Sequence, residues 1–346
     1  MLDDINVLRQ RDPSGVLDKA GQIFGQAAQP IEVKNTEHDQ RDIKHIVIAG
    51  MGGSSLAADV VKVLLDDYIL TSFEIIKGYS LPNYARENTL VIASSYSGNT
   101  EETLACFDQA LKRGCQLAVI TSGGRLGELA EQHKIAWANM PSGFQPRMAM
   151  IANLRATLTV LDLFGVDTKA QLNDIESSAD WLNTEAQNWA KDMPTERNYA
   201  KQLALMAVGK TPVFYGGPKT APIAYKWKIS WNENAKNMAF YNQYPEFNHN
   251  EFIGWSSHPV EKPFVVFDIM SDYQSERINE RMELSDRLLS GLRPKANQIH
   301  LAGESLVQEV LWGSLLADYA SIYVAILNGV NPEPVALIEK FKQELS

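Results

Sequence analysis

No cluster of lysine and arginine stands out anywhere in these 346 residues, and the formal net charge is −10. That balance argues against nucleic acid and against an anionic membrane surface as partners, since both demand concentrated positive charge. Cysteine is nearly missing. The chain has two, Cys106 and Cys115, one on an expected helix and one at the start of an expected strand. Neither belongs to a metal-ligand spacing, so no metal site and no secreted disulfide framework is expected. No apolar run reads as long enough to cross a bilayer. The N-terminus, Met1-Leu-Asp-Asp-Ile5, is acidic where a signal peptide is basic. A cytoplasmic location is the expectation.

What is present is a strong α/β pattern. Apolar residues make up 45% of the chain, enough for the cores of one large unit or two ordinary domains. After a helical start and a polar connector, Asn35-Thr-Glu-His-Asp-Gln-Arg-Asp42, strands are expected near 45–49, 72–76, 89–93, 116–120 and 135–138. Residues 147–208 read mostly as helix, interrupted at Pro194. A second pattern then opens with the strand Pro212-Val-Phe-Tyr-Gly216, a helix over about 219–234, the strand Pro263-Phe-Val-Val-Phe-Asp268 and a helix near 273–290. A short strand at Gln298-Ile-His-Leu301 and two helices, broken at Asn331-Pro-Glu-Pro334, complete the chain. The expected division is an N-terminal helical segment 1–44, a first domain 45–145, a helical connection 146–208 and a second domain with C-terminal helices 209–346. Alternation with short connections means doubly wound domains, each a parallel sheet flanked by helices.

Two turns carry the chemistry. The strand-like Thr89-Leu-Val-Ile-Ala93 runs into Ser94-Ser-Tyr-Ser-Gly-Asn-Thr100, followed by a helix with Glu101 and Glu102 in its first turn. A strand turning through Gly98 into a helix start presents backbone N–H groups, and the hydroxyls of Ser94, Ser95, Ser97 and Thr100 complete an anion cradle. No lysine or arginine lies in this turn, so the fitting guest is one phosphate monoester. An N-cap alone would need a single hydroxyl. The second turn, Gly50-Met-Gly-Gly-Ser-Ser55, follows the strand Lys44-His-Ile-Val-Ile-Ala49, with Gly52 and Gly53 to let a ligand approach the backbone and Ser54 and Ser55 to add hydroxyls. It is not a dinucleotide fingerprint: Ser55 stands where the third glycine should be, and the next strand ends in Lys77-Gly78 instead of an acid. Gly209-Lys-Thr211 resembles the tail of a P-loop, but Ala204 stands where its first glycine should be.

Proton-transfer chemistry points to Asn232-Glu-Asn-Ala-Lys236 and Pro245-Glu-Phe-Asn-His-Asn250. Glu233 lies near the end of an amphipathic helix, and His249 lies in a turn flanked by asparagines. Glutamate and histidine are a natural pair for moving protons at neutral pH, although each is as often a solvated surface residue. Arg147, after Pro141-Ser-Gly-Phe-Gln-Pro146, is either a surface charge or a cation for a developing oxyanion. Lys342 belongs to the basic-acidic pattern Glu339-Lys-Phe-Lys342, ordinarily a solvated face.

Together these segments, in this order from about residue 45 onward, resemble the bifunctional phosphoglucose/phosphomannose isomerases, built from two sugar-isomerase (SIS) domains. The resemblance implies an isomerase of hexose 6-phosphates that needs no cofactor. Glucose 6-phosphate, and also mannose 6-phosphate, would be interconverted with fructose 6-phosphate through a cis-enediol. A sugar-phosphate sensor or an isomerase of another sugar phosphate would keep the same cradle. The resemblance also implies that Gly53, Ser54, Ser95, Ser97 and Thr100 bind the substrate phosphate and that Glu233 is the proton-relaying base. His249 would assist ring opening from the neighbouring subunit of a homodimer. Arg147 would face the enediolate and Lys342 would join ring opening. Two positions depart from the pattern: Ser55 replaces a glycine, and Val335 stands where a small polar residue goes with room for the mannose epimer.

Overall fold

The computed structural model describes residues 1–257 and 263–345. Two compact units form, one of Ile23–Asp180 and one of Met1–Gln22 with Trp181–Ser346. The first holds a six-stranded sheet of β1 (Glu32–Lys34), β2 (His45–Gly50), β3 (Ser72–Ile76), β4 (Thr89–Ser94), β5 (Gln116–Thr121) and β6 (Ala136–Asn139), in the order β1-β6-β5-β4-β2-β3. Strands β2 to β6 are parallel and match the five expected ones. The central strands are continuous apolar runs because both faces are covered: every residue of β4 is buried. The helix Gly53–Leu65 buries Leu56, Val60, Val61 and Leu64, an apolar stripe at helical spacing. Strand β1 is an addition that no alternation in Glu32-Val-Lys34 announced. It is set by antiparallel pairing with the edge strand β6.

The second unit holds four parallel strands, β7 (Thr211–Gly216), β8 (Phe240–Gln243), β9 (Phe264–Met270) and β10 (Ala296–His300), in the order β10-β9-β7-β8. This is the order β5-β4-β2-β3 repeated, although the two halves show no obvious repeat in sequence. Strand β8 escaped the sequence because three of its four residues are exposed at the sheet edge. The helical stretch 146–208 is divided between the units: Met150–Leu163 and Lys169–Ser177 fall in the first, Tyr199–Ala207 in the second. The N-terminal helices Ile5–Arg11 and Val16–Ala20 fall in the second unit.

One expectation is corrected. The helix Leu306–Asn328 is long and apolar enough by composition to cross a membrane. Its most apolar window is 94% buried within the protein, so its all-round apolarity is that of a central core helix.

Asp268, in the middle of β9, is fully buried, and neither of its carboxyl oxygens has a hydrogen-bond partner among the described residues. Burial pushes its carboxyl up to about 7; Arg293 opposes the shift and Asp286 adds to it. An unfolded aspartate ionises near about 4. Between those values the folded chain keeps a proton that the unfolded chain releases. Stability is therefore greatest below that window, falls as pH rises through it, and levels off above. Asp268→Asn removes this term, so the stability difference between variant and wild type, from urea denaturation, should grow in the variant's favour from pH about 4 to about 7. A difference that stays flat over that window would contradict the assignment.

Candidate active site

In the first unit the chain leaves β2 toward β3 on one side and returns to β4 on the other, so the switch point of the sheet lies between β2 and β4. Ligands of doubly wound sheets sit at that place, outside the carboxyl ends of the strands. The two hydroxyl-rich turns both start there, and at the same level, because Gly50 and Ser94 are register partners. Each leads directly into a helix, Gly53–Leu65 or Glu101–Lys112. Neither helix start is capped by a side chain: the N-cap residues are Gly52 and Thr100, and the Thr100 hydroxyl bonds elsewhere. The N-terminal partial charge of each helix is thus not met by a capping side chain.

The hydroxyls are held in place. Ser95 Oγ lies 2.7 Å from Thr100 Oγ1 and accepts from the Gly98 N–H at 3.1 Å. Ser97 is exposed, and its Oγ accepts from the Asn99 N–H at 3.3 Å. Ser55, the departure from the family pattern, points inward and donates to the Gly52 carbonyl at 3.0 Å, so it tightens the turn from below. Gly98 adopts φ +72, and a Cβ there would overlap the Gly123 carbonyl, which explains a glycine at the tip of this turn.

Arg147 sits in a short 3-10 turn, Pro146–Met148, and is 3% exposed, not a surface charge. Its Nη1 donates to Gln145 Oε1 at 3.3 Å. The turn lies directly against the Gly50–Ser55 turn: a Cβ on Gly53 would come within 2.8 Å of the Pro146 carbonyl oxygen and 3.8 Å of Arg147 Cα. Tyr96, inside the Ser94–Thr100 turn, anchors the approach. Its hydroxyl donates to the Pro141 carbonyl at 3.0 Å and accepts from the Phe144 N–H at 2.9 Å. Gly53, Ser54, Ser95, Ser97, Thr100 and Arg147 are therefore brought to one edge of one sheet.

Sequence reasoning missed Asn153. Its Nδ2 donates to Ser54 Oγ at 3.2 Å and its Oδ1 accepts from Ser94 Oγ at 3.3 Å, so one buried side chain spans both turns. The available signal was a lone amide in the apolar run Met148-Ala-Met-Ile-Ala-Asn-Leu154.

In the second unit Glu233 is the last residue of the helix Ala221–Glu233 and is partly exposed. That helix is pinned to Leu306–Asn328 by four polar contacts. Lys226 Nζ and Ser230 Oγ reach Asp318 Oδ1 at 2.6 Å and 3.0 Å, Asn234 Nδ2 reaches Ser321 Oγ at 2.9 Å, and Trp227 Nε1 reaches the Gly313 carbonyl at 3.0 Å. The lysine and aspartate are both buried, a pairing that fixes the rotation of the helix. His249 ends the 3-10 turn Glu246–His249 and is exposed. Lys342 is exposed on the helix Ala336–Leu345, none of whose described residues is buried.

The second sheet has its own switch point, between β7 and β9, with turns at Gly217–Thr220 and Ser271–Ser275. These are filled from within. The Glu309 carboxylate accepts from the Ser271 hydroxyl and, at 3.1 Å, from the Asp272 N–H, and the Gln274 amide occupies the space a Cβ on Gly217 would need. Among the described residues no three His, Cys, Asp or Glu side chains gather as a metal site.

The SIS domain model matches residues 41–166, the stretch whose doubly wound sheet carries these hydroxyl-lined turns at its switch point. A second model, the bacterial phospho-glucose isomerase C-terminal SIS domain, matches residues 196–345. The chain belongs to the bifunctional phosphoglucose/phosphomannose isomerase family. It is 34% identical to the protein of that name from Caldicellulosiruptor bescii, over 88% of this chain and 90% of the relative. With the Aquifex aeolicus protein of that name the identity is 33%, over 91% and 94%. A solved structure, of a glucose-6-phosphate isomerase like protein from Thermus thermophilus, shares the fold with a TM-score of 0.65 at 16% identity, over 99% of this chain and 98% of that one.

Proposed function

We propose that this chain is an aldose–ketose isomerase that interconverts glucose 6-phosphate and mannose 6-phosphate with fructose 6-phosphate through a cis-enediol. The observation that carries the proposal is the pair of uncapped, hydroxyl-bearing helix starts at the first switch point, with Arg147 laid against one of them, in a chain of this family. Gly53, Ser54, Ser95, Ser97 and Thr100 bind the phosphate tail. Its binding energy is then used to orient C1 and C2.

The reaction removes a weakly acidic proton alpha to a carbonyl and returns it one carbon away. Glu233 takes and returns that proton, a contribution of roughly 10²- to 10⁴-fold. Arg147 stabilises the enediolate oxygen; a fixed cation facing developing charge is often the larger effect. His249 and Lys342 assist opening of the sugar ring. Rotation about C2–C3, the single bond next to the C1–C2 double bond of the planar intermediate, would present either face of C2 to one carboxylate and so let it serve both epimers. In a coupled assay the wild-type chain is expected to turn over both aldose phosphates. Glu233→Gln should turn over neither while still binding fructose 6-phosphate. Wild-type rates in that variant would remove the base assignment, and inactivity of the wild type on both sugars would remove the substrate assignment.

We further propose that the working form is a homodimer in which His249 serves the neighbouring subunit. Its exposure at the end of the turn Glu246–His249 supports this. Mixed Glu233→Gln and His249→Ala chains should regain part of the activity that each lacks alone. Confirmed heterodimers with no recovery would argue for a site complete within one chain.

A further inference from the structure

The turn that carries His249 is braced on both sides, and the brace on its C-terminal side is an ionisable group to which sequence reasoning gave no role. Glu251 stands two residues after His249 and opens the short helix Glu251–Gly254. One of its carboxylate oxygens accepts from the Tyr215 hydroxyl and the other from Asn242 Nδ2, the latter at 2.6 Å. Tyr215 on β7 and Asn242 on β8 are register partners, so the carboxylate straddles a strand pair with one oxygen to each strand. Tyr215 is fully buried and its hydroxyl accepts from Trp255 Nε1 at 3.1 Å. Burial, with the Glu251 charge beside it, pushes the phenol far above its ordinary range, so it stays a donor to the carboxylate.

On the N-terminal side Phe247 is buried, with ring centroids 4.6 Å from Tyr215 and 4.9 Å from Tyr244. Asn248 is held to the helix Glu276–Leu288 by Ser285 Oγ at 2.8 Å and by Arg281 Nη1 at 3.2 Å. The backbone on either side of His249 is thus tied to the second sheet and one of its helices, while the imidazole itself faces outward.

We infer that Glu251, gripped by Tyr215 and Asn242, is a positioning residue that sets where His249 presents its ring. The inference rests on the role given to His249 above. Glu251→Gln keeps the shape but replaces one acceptor oxygen by an NH₂ group, so either Asn242 Nδ2 faces another donor or the Tyr215 O–H loses the oxygen it donates to. A displacement of an acid–base group by about 1 Å can cost up to about 10²-fold in rate. With Phe247 and Asn248 still in place, the expected loss is smaller.

The test is a double-mutant cycle on glucose 6-phosphate turnover with the full-length protein: wild type, Glu251→Gln, His249→Ala and the double variant. Glu251→Gln is expected to lower kcat about tenfold with KM changed less than about twofold, and to cost nothing further once His249 is already alanine. The same loss of kcat in both backgrounds would make Glu251 a structural residue and overturn the inference, as would wild-type kcat in Glu251→Gln. Wild-type kcat in His249→Ala would instead refute the role of His249 itself, and the inference with it. Should Glu251→Gln fail to fold, Asn242→Ala removes one tie and leaves Tyr215 in place. Its loss of kcat is expected to be smaller and again to vanish in the His249→Ala background, and a loss that persists there counts against positioning.

Discussion

A single methyl group added at Gly53 would press within 2.8 Å of the Pro146 carbonyl oxygen. That close approach of two backbones is the constraint on which the first unit's site depends. It lets the Pro146–Met148 turn lie over the start of the helix Gly53–Leu65, and so places Arg147 beside N–H groups that carry the positive end of that helix. Asn153, from the helix that follows Arg147, then ties Ser54 to Ser94 and holds the two turns in one frame. A protein with net charge −10 can in this way offer a local positive field from backbone dipoles and one buried guanidinium, without a basic patch.

The two units show how one winding can be opened or closed. Both sheets run in the same order, and both place paired turns at a switch point. In the second the anion is built in: Glu309, inside the core helix Leu306–Asn328, already accepts from Ser271 and from the Asp272 N–H. In the first no carboxylate plays that part among the hydrogen bonds of Ser95, Ser97 and Thr100 described above, which are to one another's neighbourhood and to backbone. The second unit uses its fold instead to fix side chains. The Lys226–Asp318 pair sets the helix that ends in Glu233, and the strand pair β7–β8 holds the turn that carries His249.

Most of the strand pattern could be read from the chain because buried parallel strands are uninterrupted apolar runs: His45-Ile-Val-Ile-Ala-Gly50 and Thr89-Leu-Val-Ile-Ala-Ser94 announce themselves. Strands β1 and β8 did not, since each is a short edge strand whose existence depends on its neighbour. The cradle residues were legible because glycines and hydroxyls crowd a strand-to-helix turn. Arg147 was legible as a residue but not as a buried one; its turn packs against Gly53, more than ninety positions earlier, in a contact no local pattern encodes. Asn153 left one sign, a lone amide in an apolar run, but not its partners, which lie some sixty and a hundred positions earlier. Glu251 left none: its partners come from two strands that only the fold brings together. The apolar helix Leu306–Asn328 shows the opposite failure: composition alone cannot tell a core helix from a membrane span.

The central claim is that the turns after β2 and β4 grip a phosphate group. Calorimetric titration with a hexitol 6-phosphate, which cannot react, and with the unphosphorylated hexitol tests it most directly. Hydrogen bonds to a charged group contribute about 1.5–3 kcal/mol each. Replacing Ser95 and Thr100 together by alanine in a chain that still folds should therefore weaken binding of the phosphorylated ligand by at least about a hundredfold. Binding of the unphosphorylated hexitol should be left unchanged. Equal affinity of wild type and variant for the hexitol 6-phosphate would contradict the claim.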